Sequence, residues 1–204
     1  KVPVVFVNIG GISNITYLDK NDEMISFDTG PGNFLIDKIL QLKSNNKMQF
    51  DKNGEIASKG RVDKNILDSY LSNPYFDSPP PKSLDVNDFS LSLVRGLSLE
   101  NSVATLSEFT SITVVNALNF FPAKPTKIIL CGGGRKNNYI YERVKKISNI
   151  STFNIDEYKI NGDFIESQAF AYLAIRSFLK QPITFPKTTG VLKPTIGGKL
   201  IEFK

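Results

Sequence analysis

Met24-Ile25-Ser26-Phe27-Asp28-Thr29-Gly30-Pro31-Gly32-Asn33 runs from an apolar stretch through one aspartate onto a loop with two glycines. A helical pattern, Asn33 to Lys43, follows at once. Phe34, Leu35, Ile36, Ile39 and Leu40 fall at helical spacing, with Asn33 placed to cap them. The layout predicts a strand, a tight turn and a helix. It sets one carboxylate beside exposed backbone N–H groups at the helix start, where an anion is held while a base works next to it. A second Gly-rich turn, Asn8-Ile9-Gly10-Gly11-Ile12-Ser13-Asn14, precedes this stretch, and a third, Cys131-Gly132-Gly133-Gly134, comes later. Three such turns in one α/β chain suggest nucleotide and phosphate chemistry.

Upstream, Val4-Val5-Phe6-Val7-Asn8 is a short apolar strand entering Gly10-Gly11. Asn14-Ile15-Thr16-Tyr17-Leu18 alternates, Asp19-Lys20-Asn21-Asp22 makes a turn, and Met24 to Phe27 returns. Three short strands joined by tight turns read as an antiparallel meander. Downstream, Phe50 to Lys59 suggests one helix and Val62 to Ser72 another, stopped by Asn73-Pro74-Tyr75-Phe76. Ser78-Pro79-Pro80-Pro81-Lys82-Ser83 is a stiff extended loop. Apolar residues from Val103 to Phe121 recur at three- and four-residue steps and predict a long helix ended by Pro122. Lys127 to Cys131 is an apolar strand entering the glycine triplet, Asn138 to Ile147 a helix, and Ser151 to Ile155 a strand. Asp163 opens a last helix, and the tail from Gln181 looks irregular.

The order strand-strand-strand-helix, then helix-strand-helix-strand-helix, matches a ribonuclease-H-like, actin-like ATPase lobe. That is an α/β fold: a mixed sheet with an antiparallel three-strand start and helices on both faces. It is not the β-α ladder of a plain Rossmann fold. No Gly-x-x-x-x-Gly-Lys-Ser/Thr motif occurs, which excludes a P-loop.

Composition narrows the chemistry. The 204 residues suit one domain, 41 % hydrophobic and 22 % charged, as in an ordinary soluble protein. No apolar run approaches the roughly 18–20 residues that span a bilayer, and no signal-peptide core is seen. The first residue is Lys1, and the chain reads as a piece of something longer. One cysteine, Cys131, fits a reducing compartment and reads as a small buried thiol rather than a catalytic one. The absence of histidine removes Ser-His-Asp and Cys-His catalysis and the usual zinc sites. Proton transfer falls to Asp, Glu, Lys or Tyr. The net charge of +5 is uneven: 11 basic and 14 acidic residues up to Phe121, but 14 basic and 6 acidic from Pro122 on. The basic residues are scattered without interleaved aromatics, so a solvated face is expected and nucleic acid is not.

Five motifs occur here in one order: Asn8-x-Gly10-Gly11-x-x-Asn14, Phe27 to Asn33, Pro81-Lys82-Ser83, Cys131-Gly132-Gly133-Gly134-Arg135-Lys136-Asn137, and Asp163-Phe164-Ile165-Glu166-Ser167-Gln168-Ala169. Together they resemble anhydro-N-acetylmuramic acid kinase, in the actin-like, Hsp70-like and sugar-kinase superfamily, from Val4 to about Gly198. The resemblance covers the C-terminal portion of that family. It implies that residues 1–204 form the C-terminal lobe of a two-lobe kinase whose N-terminal, phosphate-gripping lobe is missing from this chain. The activity it implies is opening of the 1,6-anhydro ring by water and phosphorylation of O6 from ATP with Mg²⁺. The product is N-acetylmuramic acid 6-phosphate, in cytoplasmic recycling of the cell wall. A homodimer is implied too, with the helix from Val103 to Phe121 readable as a contact or as core.

By the same resemblance Asp28 matches the base that activates water; its bland alternative is a turn aspartate. Gly10, Gly11 and Asn14 match a phosphate loop, though the glycines could simply permit a hairpin. Gly132, Gly133 and Gly134 match a turn against adenosine, or a strand-to-helix turn alone. Asn137 reads as a nucleotide contact or as a helix cap. Thr29, Gly30, Gly32, Asn33 and Glu166 match the sugar side, while Asp163-x-x-Glu166 equally reads as a capping box. Asp37 is a helix-dipole partner or a metal or substrate ligand. Lys82 is a phosphate or sugar ligand or an exposed lysine. Val86 departs from the family's arginine near that place. The rival reading is a non-catalytic actin-like module that binds nucleotide or a partner.

Overall fold

The computed structural model describes residues 3–21 and 23–201. Three strands open the fold: β1 (Val4–Ile9), β2 (Ile12–Leu18) and β3 (Met24–Pro31). β4 (Lys127–Cys131) and β5 (Ser151–Asn154) complete one five-stranded sheet in the order β3-β2-β1-β4-β5. The first three strands pair antiparallel, as the meander pattern predicts, and β1–β4 and β4–β5 pair parallel. Asp22 of the expected turn lies outside the described residues. The expected α/β architecture, a mixed sheet with a three-strand antiparallel start, is the one observed.

Side chains alternate across each strand, and that sorts the core. Val5, Val7, Ile9, Ile15, Tyr17, Phe27, Ile128 and Leu130 face one way and are buried. Against them pack α1 (Phe34–Lys43), through Leu35, Ile36, Ile39 and Leu40; α3 (Leu99–Ala117), through Val103, Leu106, Phe109 and Val114; and α4 (Asn138–Ser148), through Ile140 and Val144. α2 (Lys64–Leu71) adds Leu67 and Tyr70, and Asp63 caps it by accepting the Ile66 amide. The helix from Val103 to Phe121 is therefore core. A partly buried ion pair, Glu108 with Arg143, fastens α3 to α4. The opposite face of the sheet is thinner: Val4, Phe6, Ile129 and Cys131 meet Ile155 and Ile165. Ile165 opens α5 (Ile165–Phe178), none of whose residues is buried. A short helix, α6 (Pro186–Thr189), breaks the otherwise irregular tail.

Two expected helical features take other forms. Phe50 to Lys59 is two 3₁₀ turns, Lys52–Gly54 and Ala57–Lys59, because the Asp51 carboxylate accepts the Ile56 and Ala57 amides and Asn53 turns left-handed. The Asp163–Glu166 capping box does not form. Asp163 is drawn into ion pairs with Arg135 and Lys136, and α5 starts without a side-chain cap.

The first two glycine turns interlock. The amides of Gly32 and Phe34 donate to the Gly11 carbonyl at 2.8 and 3.1 Å, and the Asn33 amide donates to that of Gly10 at 2.7 Å. A Cβ on Gly32 would stand 2.3 Å from the Gly10 carbonyl oxygen, a contact only glycine avoids. Thr110 of α3 holds the same turn from behind, its hydroxyl donating to the Pro31 and Gly32 carbonyls at 2.9 and 3.1 Å. Gly32→Ala should accordingly lower stability by about 1–3 kcal/mol, the range for overpacking a close contact. Urea unfolding should register it as a lower midpoint at unchanged slope; a wild-type midpoint would show that the turns are not locked together.

Candidate functional site

All three glycine turns lie at one end of the sheet. Gly132 leaves β4 with φ +73°, and a Cβ there would meet the Asn8 side chain at 2.5 Å and the Ile9 carbonyl oxygen at 2.8 Å. A Cβ on Gly134 would strike Ile9 at 2.3 Å. The third turn is thus pressed onto the end of β1, beside the first. Asn33 spans the gap, donating from Nδ2 to the Ile9 carbonyl at 3.1 Å. It does not cap α1 with its side chain, as its position suggested. Three of the amides at this corner are already engaged. Those of Gly32, Asn33 and Phe34 are spent on the Gly10 and Gly11 carbonyls, so an anion site there would draw on other donors.

Asp28 belongs to a row that crosses the sheet. The strand register pairs Asp28 with Asn14, Asn14 with Asn8, and Asn8 with Cys131. These four side chains share the face opposite α1, α3 and α4. Half-buried Asp28 receives the Leu84 amide on Oδ2 at 2.8 Å. Burial raises its pKa above the ordinary carboxylate value, and the Leu84 hydrogen bond partly offsets this. Cys131 is a buried thiol, pushed up to about 11 by burial, as the sequence suggests.

Beside the third turn lies a cavity of about 480 Å³, lined by Asn33, Ile36, Asp37, Phe50, Asn53, Gly133, Gly134 and Asn137 among others. Its volume falls in the usual range for a small-molecule site. Asn137 caps α4, accepting the Ile140 amide at 3.2 Å, and still faces this cavity, so its two readings are compatible. Asp37 stands one turn into α1 with its pKa raised to about 6, first by burial and then by Asp51. Among the described residues no hydrogen bond or ion pair reaches its carboxylate. Asp51, in contrast, is held by two amides.

Arg135 fixes the third turn from beneath. Its guanidinium is buried, donating to Asp156 at 2.6 Å, to Asp163 at 2.9 Å and to the Gly132 carbonyl at 2.9 Å. The Arg135 hydrogen bond is the main reason the Asp156 carboxyl is held down to about 2. Nothing in the sequence beyond its place after three glycines marks this residue.

The expected residues do not all converge. Gly10, Gly11, Gly32, Asn33, Gly132, Gly133 and Gly134 come together, and Asn14 stands beside Asp28. Thr29 does not join them. Its hydroxyl donates to the Ser13 carbonyl, and it lines a separate cavity of about 410 Å³ on the α3 side. Gly30 packs on Thr113 of α3, and Glu166 is exposed in the first turn of α5, lining neither cavity. Lys82 is half-buried, not the exposed lysine expected; its ammonium donates to the Tyr75 and Phe76 carbonyls, and it lines the smaller cavity. Sequence reasoning missed Tyr75, Leu84 and the cavity walls at Phe50 and Asn53. They act through backbone geometry or sit in irregular segments that carry no periodic signal.

The family model for anhydro-N-acetylmuramic acid kinase matches residues 1–202. A protein of that name from Zymomonas mobilis is 43% identical over 200 residues, covering 97% of this chain and 54% of the relative. Another from Caulobacter vibrioides is 44% identical over 199 residues, covering 98% and 53%. The chain spans about half the length of the curated relatives it matches. Among solved structures, the xylulose kinase of Lactobacillus acidophilus shares the fold, with a TM-score of 0.51 at 14% identity, over 74% of this chain and 35% of that one. By the extent and identity of the sequence match the chain belongs to the anhydro-N-acetylmuramic acid kinase family.

Proposed function

We propose that this chain is the lobe of an ATP-dependent carbohydrate kinase that carries the water-activating base and the adenosine-side turns. The whole enzyme converts 1,6-anhydro-N-acetylmuramic acid and water to N-acetylmuramic acid 6-phosphate, in cytoplasmic recycling of peptidoglycan. The observation that carries this reading is the placement of Asp28. It is a single half-buried carboxylate on a sheet whose three glycine turns gather at one end. Among the described residues no helix is long and apolar enough to cross a membrane, which is compatible with that location.

Asp28 takes the proton from water as its oxygen attacks C1 and the C1–O6 bond breaks. A carboxyl partly desolvated, with a raised pKa, is a stronger base than a solvated one. ATP supplies the phosphoryl group that O6 receives. The residues of the larger cavity fit an adenosine. Ile36 and Phe50 offer apolar walls, Gly133 and Gly134 admit close approach, and Asn137 and Asp37 add polar edges. Gly10, Gly11 and Asn14 lie on the phosphate side, and Gly30, Gly32, Asn33, Thr29 and Glu166 are assigned to the sugar side on the resemblance. For Mg²⁺, no group of three acidic, His or Cys side chains stands together among the described residues. The ion would come with the phosphates of ATP.

A non-catalytic module is the second reading. Val86 stands exposed where the family carries an arginine, and that favours it. Calorimetry with the anhydro-sugar on the protein rejoined to the other half separates the two: absence of binding supports the module.

This chain alone should release no ADP from ATP and anhydro-sugar, because the phosphate clamp is shared with a second lobe. Joined to the half that its relatives carry in addition, it should turn over. Asp28→Asn should then lower kcat by about 10²–10⁴-fold, the range for losing a general base. Retained activity removes Asp28 from that role.

The pKa of Asp37 bears on stability. The folded protein holds its proton to about 6, against 3.8 for an unperturbed carboxyl. Stability from this group is therefore present below about pH 4 and is lost as pH rises through 6. Asp37→Asn should be about 1 kcal/mol more stable than wild type above pH 7, after allowance for solvent screening. At pH 4 the two should be equal. Urea midpoints at the two pH values check this, and no gain above pH 7 would mean the carboxylate is not strained there.

A further inference from the structure

We propose that the loop from Asn73 to Leu84 is a positioning clamp for Asp28, with Lys82 closing it. This rests on the reading of Asp28 as the base. β3 is an edge strand, so the outer side of its backbone has no neighbouring strand. At Asp28 the loop takes that place and grips three parts of the residue. The Asp28 amide donates to the Lys82 carbonyl at 3.0 Å. The Tyr75 hydroxyl donates to the Asp28 carbonyl at 2.6 Å. The Leu84 amide donates to Oδ2 at 2.8 Å. Among the described residues no hydrogen bond reaches Oδ1. One carboxylate oxygen is thus fixed, and the other is left for the proton of water.

The loop has the sequence of an irregular segment, and what closes it is one ammonium. Lys82 Nζ donates to the Tyr75 carbonyl at 2.9 Å and to that of Phe76 at 3.3 Å. It also lies over the rings of Tyr75 and Phe120, at 4.7 and 4.5 Å from their centroids. Lys82 therefore joins the arm that holds the Asp28 carbonyl to the arm that holds its amide and carboxylate. Its ammonium is held between the loop carbonyls and the Phe120 ring, which assigns it to positioning.

Loss of the clamp has a signature beyond lost stability. The Leu84 hydrogen bond favours the ionised carboxylate, so loosening it moves the acid limb of kcat/KM to higher pH. Other titratable groups would not mimic this. Tyr75, Asp77, Asp85 and Asp88 belong to the same loop region: burial, then Asp28 and Asp88, raises the pKa of Tyr75, and Asp77 faces the Lys82 ammonium. β2 brings no charged side chain to β3. On α3, Glu108 is paired with Arg143, and on α6, Lys187 is paired with Glu23 at the far end of β3.

The test uses the protein rejoined to the half its relatives carry, with Lys82→Met, Tyr75→Phe and Asp28→Asn measured over pH. The expected result is an inactive Asp28→Asn and a kcat at least fivefold lower in Lys82→Met. KM for both substrates should stay within twofold and the acid limb should move upward; Tyr75→Phe should move it the same way by less. If Asp28→Asn is inactive while Lys82→Met keeps the wild-type kcat and acid limb, the clamp is overturned and the base stands. If Asp28→Asn is active, the base reading fails and the clamp loses its purpose. Should Lys82→Met not fold, Tyr75→Phe decides: an unmoved acid limb overturns the proposal.

Discussion

Three backbone hydrogen bonds, from Gly32, Asn33 and Phe34 to the carbonyls of Gly10 and Gly11, set the rest of the structure. They tie the β1–β2 turn to the start of α1. The end of β1 then becomes a floor on which Gly132 and Gly134 are pressed. The cost is that donors which could have bound an anion are consumed. The gain is a rigid corner: a glycine is required at 32 by contact and at 132 by both contact and a left-handed φ. Catalytic groups carried by strands that meet at such a corner are held more closely than groups on a free loop.

The fold was legible wherever the pattern was periodic. The apolar run of β1, the alternation of β2, the apolar steps of α3 and the continuous strand before Gly132 each appear within a residue or a few of their expected limits. Reading failed where a side chain overrode propensity. Asp51 took the amides that a helix over Phe50–Lys59 would have used internally, and Asp163 left the cap of α5 for Arg135. The site was half legible. Its glycines and Asp28 carry strong local signals. The partners of Asp28 do not, because a tyrosine hydroxyl meeting a carbonyl 47 residues away leaves no spacing to read.

Two kinds of charge placement coexist around the site. Arg135 is buried but fully engaged, and its carboxylate partners are held below their ordinary range. Asp37 is the opposite case, a carboxylate raised by burial and a like charge with no donor of its own. The first arrangement stiffens the glycine turn. The second leaves a carboxylate without a donor in a wall of the cavity.

The sheet's connectivity bears on how the chain acquires this corner. β1, β2, β3 and α1 are contiguous in sequence and pair over short loops. β1 must then wait for β4, whose Phe6–Ile129 register joins residues far apart along the chain. Closing so long a loop is entropically slow. The meander and first helix need only short loops to close, whereas the third glycine turn depends on this long-range pairing. The cavity beside the third turn is thus walled only in the completed fold, since Asn33 and Ile36 come from the first part of the chain and Gly133, Gly134 and Asn137 from a part about a hundred residues later.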